Sequence, residues 1–230
     1  MIFFQTRFFL LLVVLLSGCS TLQLSPDLKL EKELYRQAIS DAAVIEACEI
    51  KLLPVITERR IRVVSWTKYP DSYQVGQEMV VDWGELWVTL DNDVKSRCQQ
   101  FEQQQRISDT QKLLGLPLDN EAKRSFVILE LDSDVLFRPC ANPSIKENHC
   151  SQQFPETVSK AHFEWYAKQT AQSYQPYPGF PWTRLGYTYN WKEGEDEVGV
   201  AEFVVKKGSK VLPISIVDTD LYCSKRKLAD

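Results

Sequence analysis

The sequence predicts an α+β fold, an antiparallel sheet with a C-terminal meander packed by about three helices. Three observations carry that expectation. Apolar residues recur at helical spacing in three stretches, around residues 30–45, 94–101 and 158–165. β-branched and aromatic runs occupy residues 60–69, 78–90, 125–132 and much of 185–217. The two kinds of stretch do not alternate regularly, which argues against a doubly wound parallel sheet. The chain has 230 residues, 44% of them hydrophobic and 25% charged, so it is long enough for one domain with a sizeable core and too apolar for a disordered chain.

The elements follow in order. Ser25-Pro26-Asp27 offers a capping serine, a proline for the first turn and an early acid, opening a helix in which Leu30, Leu34, Ala38, Ala42 and Ile45 share a face to about Glu49. Residues 60–69 (RIRVVSWTKY) read as a strand. Residues 78–90 form a second β-like stretch, interrupted at Asp82-Trp83-Gly84. Asp91-Asn92 caps a helix through Val94, Cys98 and Phe101 that runs to Leu114 with a break near Ser108, before Gly115 and Pro117 stop it. The nearly continuous apolar run SFVILELD, residues 125–132, reads as a central strand. Phe154-Pro155-Glu156 starts another helix, to about Ser173, with Val158, Ala161, His162 and Trp165 together. Residues 185–191, 198–205 and 210–217 read as the meander, with 221–223 as a further edge strand.

The N-terminus reads as an address. Phe8 to Leu16 is an apolar run of about 9 residues after Arg7, close to a signal-peptide core and well short of the ~20 residues that span a bilayer. Leu16-Ser17-Gly18-Cys19 resembles the lipobox of bacterial lipoprotein precursors. The resemblance implies cleavage before Cys19, a lipid on its sulfur and acylation of the new amino terminus. Ser at position 20, where Asp resembles an inner-membrane retention signal, implies the outer membrane. The expected organisation is therefore a signal peptide over residues 1–18, a lipidated tether over 19–25 and a single periplasmic domain over 26–230.

Of six cysteines, the lipid would consume Cys19, leaving five in an oxidising compartment. Cys140 and Cys150 flank a short polar loop and are expected to bond locally. A zinc site from Cys140, His149 and Cys150 lacks both the usual spacing and a fourth ligand. Cys48 and Cys98 fall in helix-like segments and are expected to pair across two helices, leaving Cys223 as the odd cysteine.

Two segments, LFRPC at residues 136–140 and PWTRLGYTYNW at 181–191, resemble a family of proteobacterial lipoproteins over roughly residues 85–223. That resemblance implies no reaction, cofactor or catalytic residue.

The chemistry-bearing residues are sparse. A net charge of −4 gives no basic footprint for a nucleic-acid partner. Two histidines exclude a histidine-rich metal centre, and no G-x-S-x-G, H-E-x-x-H or Walker segment occurs, so no cofactor or metal is expected. Asp132 and Asp134 at a strand end, and the acidic turn Glu193, Glu195, Asp196 and Glu197, read as solvated acids. A nucleotide-handling reading around Thr183-Arg184 and Glu202-Phe203 rests on a vague pattern. The strongest candidates are aromatic. Tyr177, Phe180 and Trp182 lie in a proline-rich loop suited to gripping a partner, whereas Tyr187, Tyr189 and Trp191 occupy one strand face. The resulting expectation is a lipid-anchored, non-enzymatic module that binds an envelope protein or peptidoglycan. The alternative is a periplasmic hydrolase or toxin-like enzyme using His162 or Asp132 and Asp134.

Overall fold

The computed structural model describes residues 26–119, 123–175 and 179–225. Cys19, Tyr177 and the whole proposed signal and tether lie outside these residues. The fold is α+β, an antiparallel sheet flanked by helices.

The first helix, α1 (Pro26–Ala42), buries Tyr35, Ala38, Ile39 and Ala42 at the i, i+3, i+4, i+7 spacing of one helical face. It stops well before Glu49 because the Arg184 guanidinium takes the carbonyls of Ala42 and Ala43, at 3.3 and 2.7 Å. The chain then makes one 3-10 turn, Ala47–Glu49, closed by the Glu46 N–H donating to the Glu49 carboxylate at 2.5 Å.

The sheet comprises β1 (Arg60–Thr67), β2 (Met79–Val80), β3 (Leu86–Leu90), β4 (Ser125–Asp132), β5 (Leu136–Phe137), β6 (Tyr187–Tyr189), β7 (Val198–Val205) and β8 (Lys210–Asp218). Their order is β2-β8-β4-β1-β3-β7-β5, with β6 added to β7. As its apolar run suggests, β4 is internal, paired along its length with β1 on one side and with β8 on the other.

The meander is corrected. Although only four residues separate β7 from β8, they do not pair. β7 joins β3, β5 and β6, and β8 joins β4 and β2. The connecting tip gives its backbone to other segments, the Gly208 N–H to Val81 O at 2.7 Å and the Lys206 N–H to Val135 O at 3.0 Å. Burial explains the outcome. β7 carries Ala201, Phe203 and Val205 on one face and Val200 and Val204 on the other, all nearly inaccessible, so it needs cover on both faces and partners on both edges. A flat sheet would place β8 and β7 four strand spacings apart, roughly 19 Å. The tip closes a tight turn, Ser209 N–H to Lys206 O at 3.1 Å, which holds its ends within ~7 Å. The sheet must therefore curl. Its inner face holds Val63, Val88, Leu129, Phe203 and Val205; its outer face holds Val64, Trp66, Phe126, Ile128 and Val217.

Helices cover the outer face. The expected helix from residue 91 is split into α2 (Asp91–Cys98) and α3 (Arg106–Leu113), so the break falls ahead of Ser108. The next helix, α4 (Lys160–Ser173), starts six residues later than Phe154 would suggest, because Ser159 Oγ accepts the His162 N–H at 3.1 Å and caps it. Phe154 instead packs its ring on Phe163 and Tyr166. Residues 221–223 contribute no edge strand: Asp218 caps a single turn, α5 (Thr219–Tyr222).

The pairing of Cys48 with Cys98 is also corrected. Cys98, at the end of α2, bonds Cys223, just past α5, across 125 residues, while Cys48 is free and exposed. Packing α5 against the outer face brings Cys223 to Cys98, and the early end of α1 leaves Cys48 on the surface. Cys140 and Cys150 are bonded to each other.

Candidate functional site

The alternation of β7 sends Val200, Glu202 and Val204 to the outer face, where hydrophobic residues normally stand. Glu202 lies opposite Thr89, and Val204 opposite Trp87, so the carboxyl and the Trp87 ring share one face of the β3–β7 pair. Among the described residues, no helix seals this part of the face. Two adjoining clefts of about 220 and 250 Å³ open there, and Trp87, Leu114, Leu116, Thr188 and Glu202 line both.

The walls are built from three directions. The turn after α3 supplies Leu114, Gly115 and Leu116. Gly115 has φ +66°, and a Cβ there would stand 3.3 Å from Tyr189 O, so the left-handed turn and the close approach both favour glycine. α4 supplies Gln169, whose amide nitrogen is committed to Ser173 Oγ at 3.1 Å. The segment after α4 supplies Phe180, Pro181 and Trp182. Trp182 is held firmly: its indole N–H donates to Pro139 O at 3.2 Å, and its carbonyl accepts from the Tyr174 hydroxyl at 2.5 Å. Its ring meets Trp87 edge-on at 6.4 Å and Trp165 at 5.8 Å, and Phe137 packs against Trp165 at 4.7 Å. This aromatic row joins α4 to the sheet and makes one side of the cleft rigid.

Glu202 is the electrostatic oddity of the site. Its side chain reaches solvent through the cleft yet is surrounded by protein, and no described residue pairs with its carboxyl. Burial alone pushes its pKa up to about 8. Arg124 lines the smaller cleft but lies over the Trp66 ring, 5.1 Å from its centroid, and makes no ion pair with Glu202. Two of the hydroxyls nearby are already engaged. Thr188 Oγ1 donates to Leu113 O at 2.7 Å, and Tyr189 donates to Asp41 Oδ2 at 2.7 Å. The site is thus an aromatic-walled apolar cleft with one unpaired acid at its floor, suited to enclosing an apolar body and holding one polar group.

The structure brings together two of the aromatic candidates. Phe180 and Trp182 both line the larger cleft, but they differ in kind: Phe180 is 43% exposed, whereas Trp182 is 4% exposed and belongs to the framework. The strand aromatics are core. Tyr187 donates to Glu49 O at 2.9 Å and Trp191 to Leu116 O at 3.0 Å, while Tyr189 packs with Trp191 against α1.

The acid and histidine candidates lie elsewhere. Asp132 is 3.6 Å from the Arg60 guanidinium, and the Asp134 carbonyl accepts from Lys206 Nζ at 2.7 Å. His162 Nε2 donates to Cys140 O at 2.8 Å, its ring stacks on Trp165, and burial lowers its pKa. His162 lines a separate cleft of about 560 Å³ with Phe137, Ser159, Lys206 and Lys207. His149 is exposed beside Asn148, and the sulfurs of Cys140 and Cys150 are spent on each other. From the acidic turn, Glu195 pairs with Lys192 at 2.8 Å. Glu197 turns inward to Asp41 and Glu49, where burial and those carboxylates push its pKa up to about 7. The Tyr189 hydroxyl lies between two of these acids, 2.7 Å from Asp41 Oδ2 and 3.3 Å from Glu197 Oε2.

Glu202 is the residue whose role sequence reasoning missed, although a signal was there. In VGVAEFVV a charged residue sits at an apolar position of a strand buried on both faces. No protein-family model, no curated protein and no solved structure matches this chain.

Proposed function

We propose that this protein is a lipid-anchored envelope module that binds its partner or ligand non-enzymatically through the cleft beside Glu202. The observation that carries the reading is an open, rigid, aromatic-walled cleft with an unpaired acid on its floor. The anchor rests on the lipobox-like Leu16-Ser17-Gly18-Cys19, since multiple acyl chains hold a protein on a membrane as one chain does not. Two disulfides suit the oxidising compartment such an anchor implies. An outer-membrane position facing the periplasm, with an envelope protein or peptidoglycan as partner, is the form of the proposal that follows from Ser20.

Three variants test it. Cys19→Ala should release the protein from membranes washed in high salt; retention would refute the anchor. Phe180 is half-exposed, so Phe180→Ala should cost no more than ~0.5 kcal/mol of stability while weakening partner capture by crosslinking in intact cells. Tyr189→Ala should cost roughly 3–5 kcal/mol, because its ring is core and its hydroxyl is engaged. Unimpaired capture by a folded Phe180→Ala protein would overturn the assignment of the cleft.

A further inference from the structure

We propose that the cleft recognises an organic monocation, an ammonium or guanidinium group carried on an apolar or aromatic body, with Glu202 as its counter-ion. The inference rests on the reading of the cleft as a binding site and names what it takes. Charge complementarity is the argument. Among the described residues, Glu202 is the one acid lining the two clefts, and the one cation lining them, Arg124, is stacked on Trp66 and makes no ion pair with it. A buried carboxyl without a partner is costly in its charged form, which favours its protonated form. A ligand cation removes that cost by supplying the missing charge, and the proton leaves as the cation enters. The part-exposed Trp87 indole, backed edge-on by the buried Trp182, provides the second half of the match. Tryptophan faces attract cations, most strongly where water is excluded, and the Trp87 ring with Phe180 covers the apolar body of the ligand.

The geometry also separates this ligand from a neutral one. A neutral amide or alcohol would accept a hydrogen bond from protonated Glu202, and its binding would weaken as pH rises. A cation needs the carboxylate, and its binding strengthens as pH rises. The other titratable groups facing the cleft are Arg124, ahead of β4, and Tyr189, on β6. The Arg124 guanidinium stays charged. Burial and the neighbouring acid Asp41 raise the Tyr189 hydroxyl above its ordinary range, so it stays neutral. Glu197 titrates in the same region but is grouped with Asp41 and Glu49 at the α1 side.

The test is calorimetric titration of the full chain in detergent with phenethylamine and its neutral isostere 2-phenylethanol, with detergent blanks subtracted, between pH 6 and pH 8. Phenethylamine should bind at least tenfold more tightly at pH 8 than at pH 6, with proton release on binding, and Glu202→Gln should weaken it at least tenfold at pH 8. Binding of 2-phenylethanol should not weaken in Glu202→Gln. The pH series on the unaltered protein keeps the test decisive if the variant folds poorly. Equal binding of both probes, or amine binding indifferent to pH and to Glu202→Gln, overturns the cation and leaves an apolar binding cleft. Failure of the unaltered protein to bind either probe overturns the cation and the cleft reading together.

Discussion

Removing the Cys98–Cys223 bond should cost more stability than removing the Cys140–Cys150 bond, and the reason lies in the unfolded chain. Cys98–Cys223 closes 125 residues and Cys140–Cys150 closes 10. In the chain-entropy account, crosslinks of these spans stabilise by about 5 and about 3 kcal/mol, a difference of roughly 2 kcal/mol. All four sulfurs are almost completely inaccessible, so Cys98→Ala/Cys223→Ala and Cys140→Ala/Cys150→Ala leave comparable small voids and that contribution largely cancels. The longer crosslink also does more local work. It ties α2 to α5, and α5 holds Tyr222, whose ring stacks on Phe126 at 3.9 Å and whose hydroxyl donates to Asp91 at 2.7 Å. Against a typical domain stability of ~5–15 kcal/mol, its loss consumes a large share. The assay is urea unfolding of the two double variants and of Cys48→Ala, followed by tryptophan fluorescence, with peptide mapping under non-reducing conditions. The exposed Cys48 should be replaceable without effect. Equal losses from the two double variants would refute the loop-length argument, and a peptide linking Cys48 to Cys98 would refute the pairing.

Two further expectations concern buried charge. Folding raises the Glu197 carboxyl from its ordinary 4.5 to about 7, so the native state holds that proton more tightly than the unfolded chain. The associated stability is full below about pH 4.5 and is lost as pH climbs to about 7; Glu197→Gln should flatten the urea midpoint over that interval, and an unchanged pH profile would refute the burial of Glu197 against Asp41 and Glu49. Arg138 is fully buried without an acid partner: its guanidinium donates to Pro54 O at 2.8 Å and Glu147 O at 3.3 Å and lies 4.9 Å from the Phe203 ring centroid, and burial lowers its pKa to about 10. Arg138→Lys keeps the charge but loses the planar fork, and should cost about 2–3 kcal/mol by thermal melting; a variant as stable as the parent would show that the fork does not hold the 140–150 loop to the 53–56 segment.

Whatever depends on neighbours along the chain could be read from the residues in order. The apolar face of α1, the central character of β4 and the α+β class all follow from local periodicity, because side-chain direction repeats every 3.6 residues in a helix and every two in a strand. Tyr187, Tyr189 and Trp191 were legible as core for the same reason. Who meets whom across long separations came only with the folded chain. The short tip between β7 and β8 invites a hairpin, yet both strands exchange that local pairing for partners that cover two apolar faces, and the sheet curls to allow it. Cys223 meets Cys98 because α5 folds back over the outer face, something no spacing of cysteines encodes. The cleft is of this second kind. Phe180 and Trp182 were visible as aromatics in a loop, but the acid that gives their surface a chemistry comes from β7, opposite Thr89 on β3. Glu202 becomes a site only when sheet register and the Leu114–Leu116 turn enclose it without supplying a counter-charge, since a carboxyl's proton affinity is set by its three-dimensional surroundings and not by its neighbours in sequence.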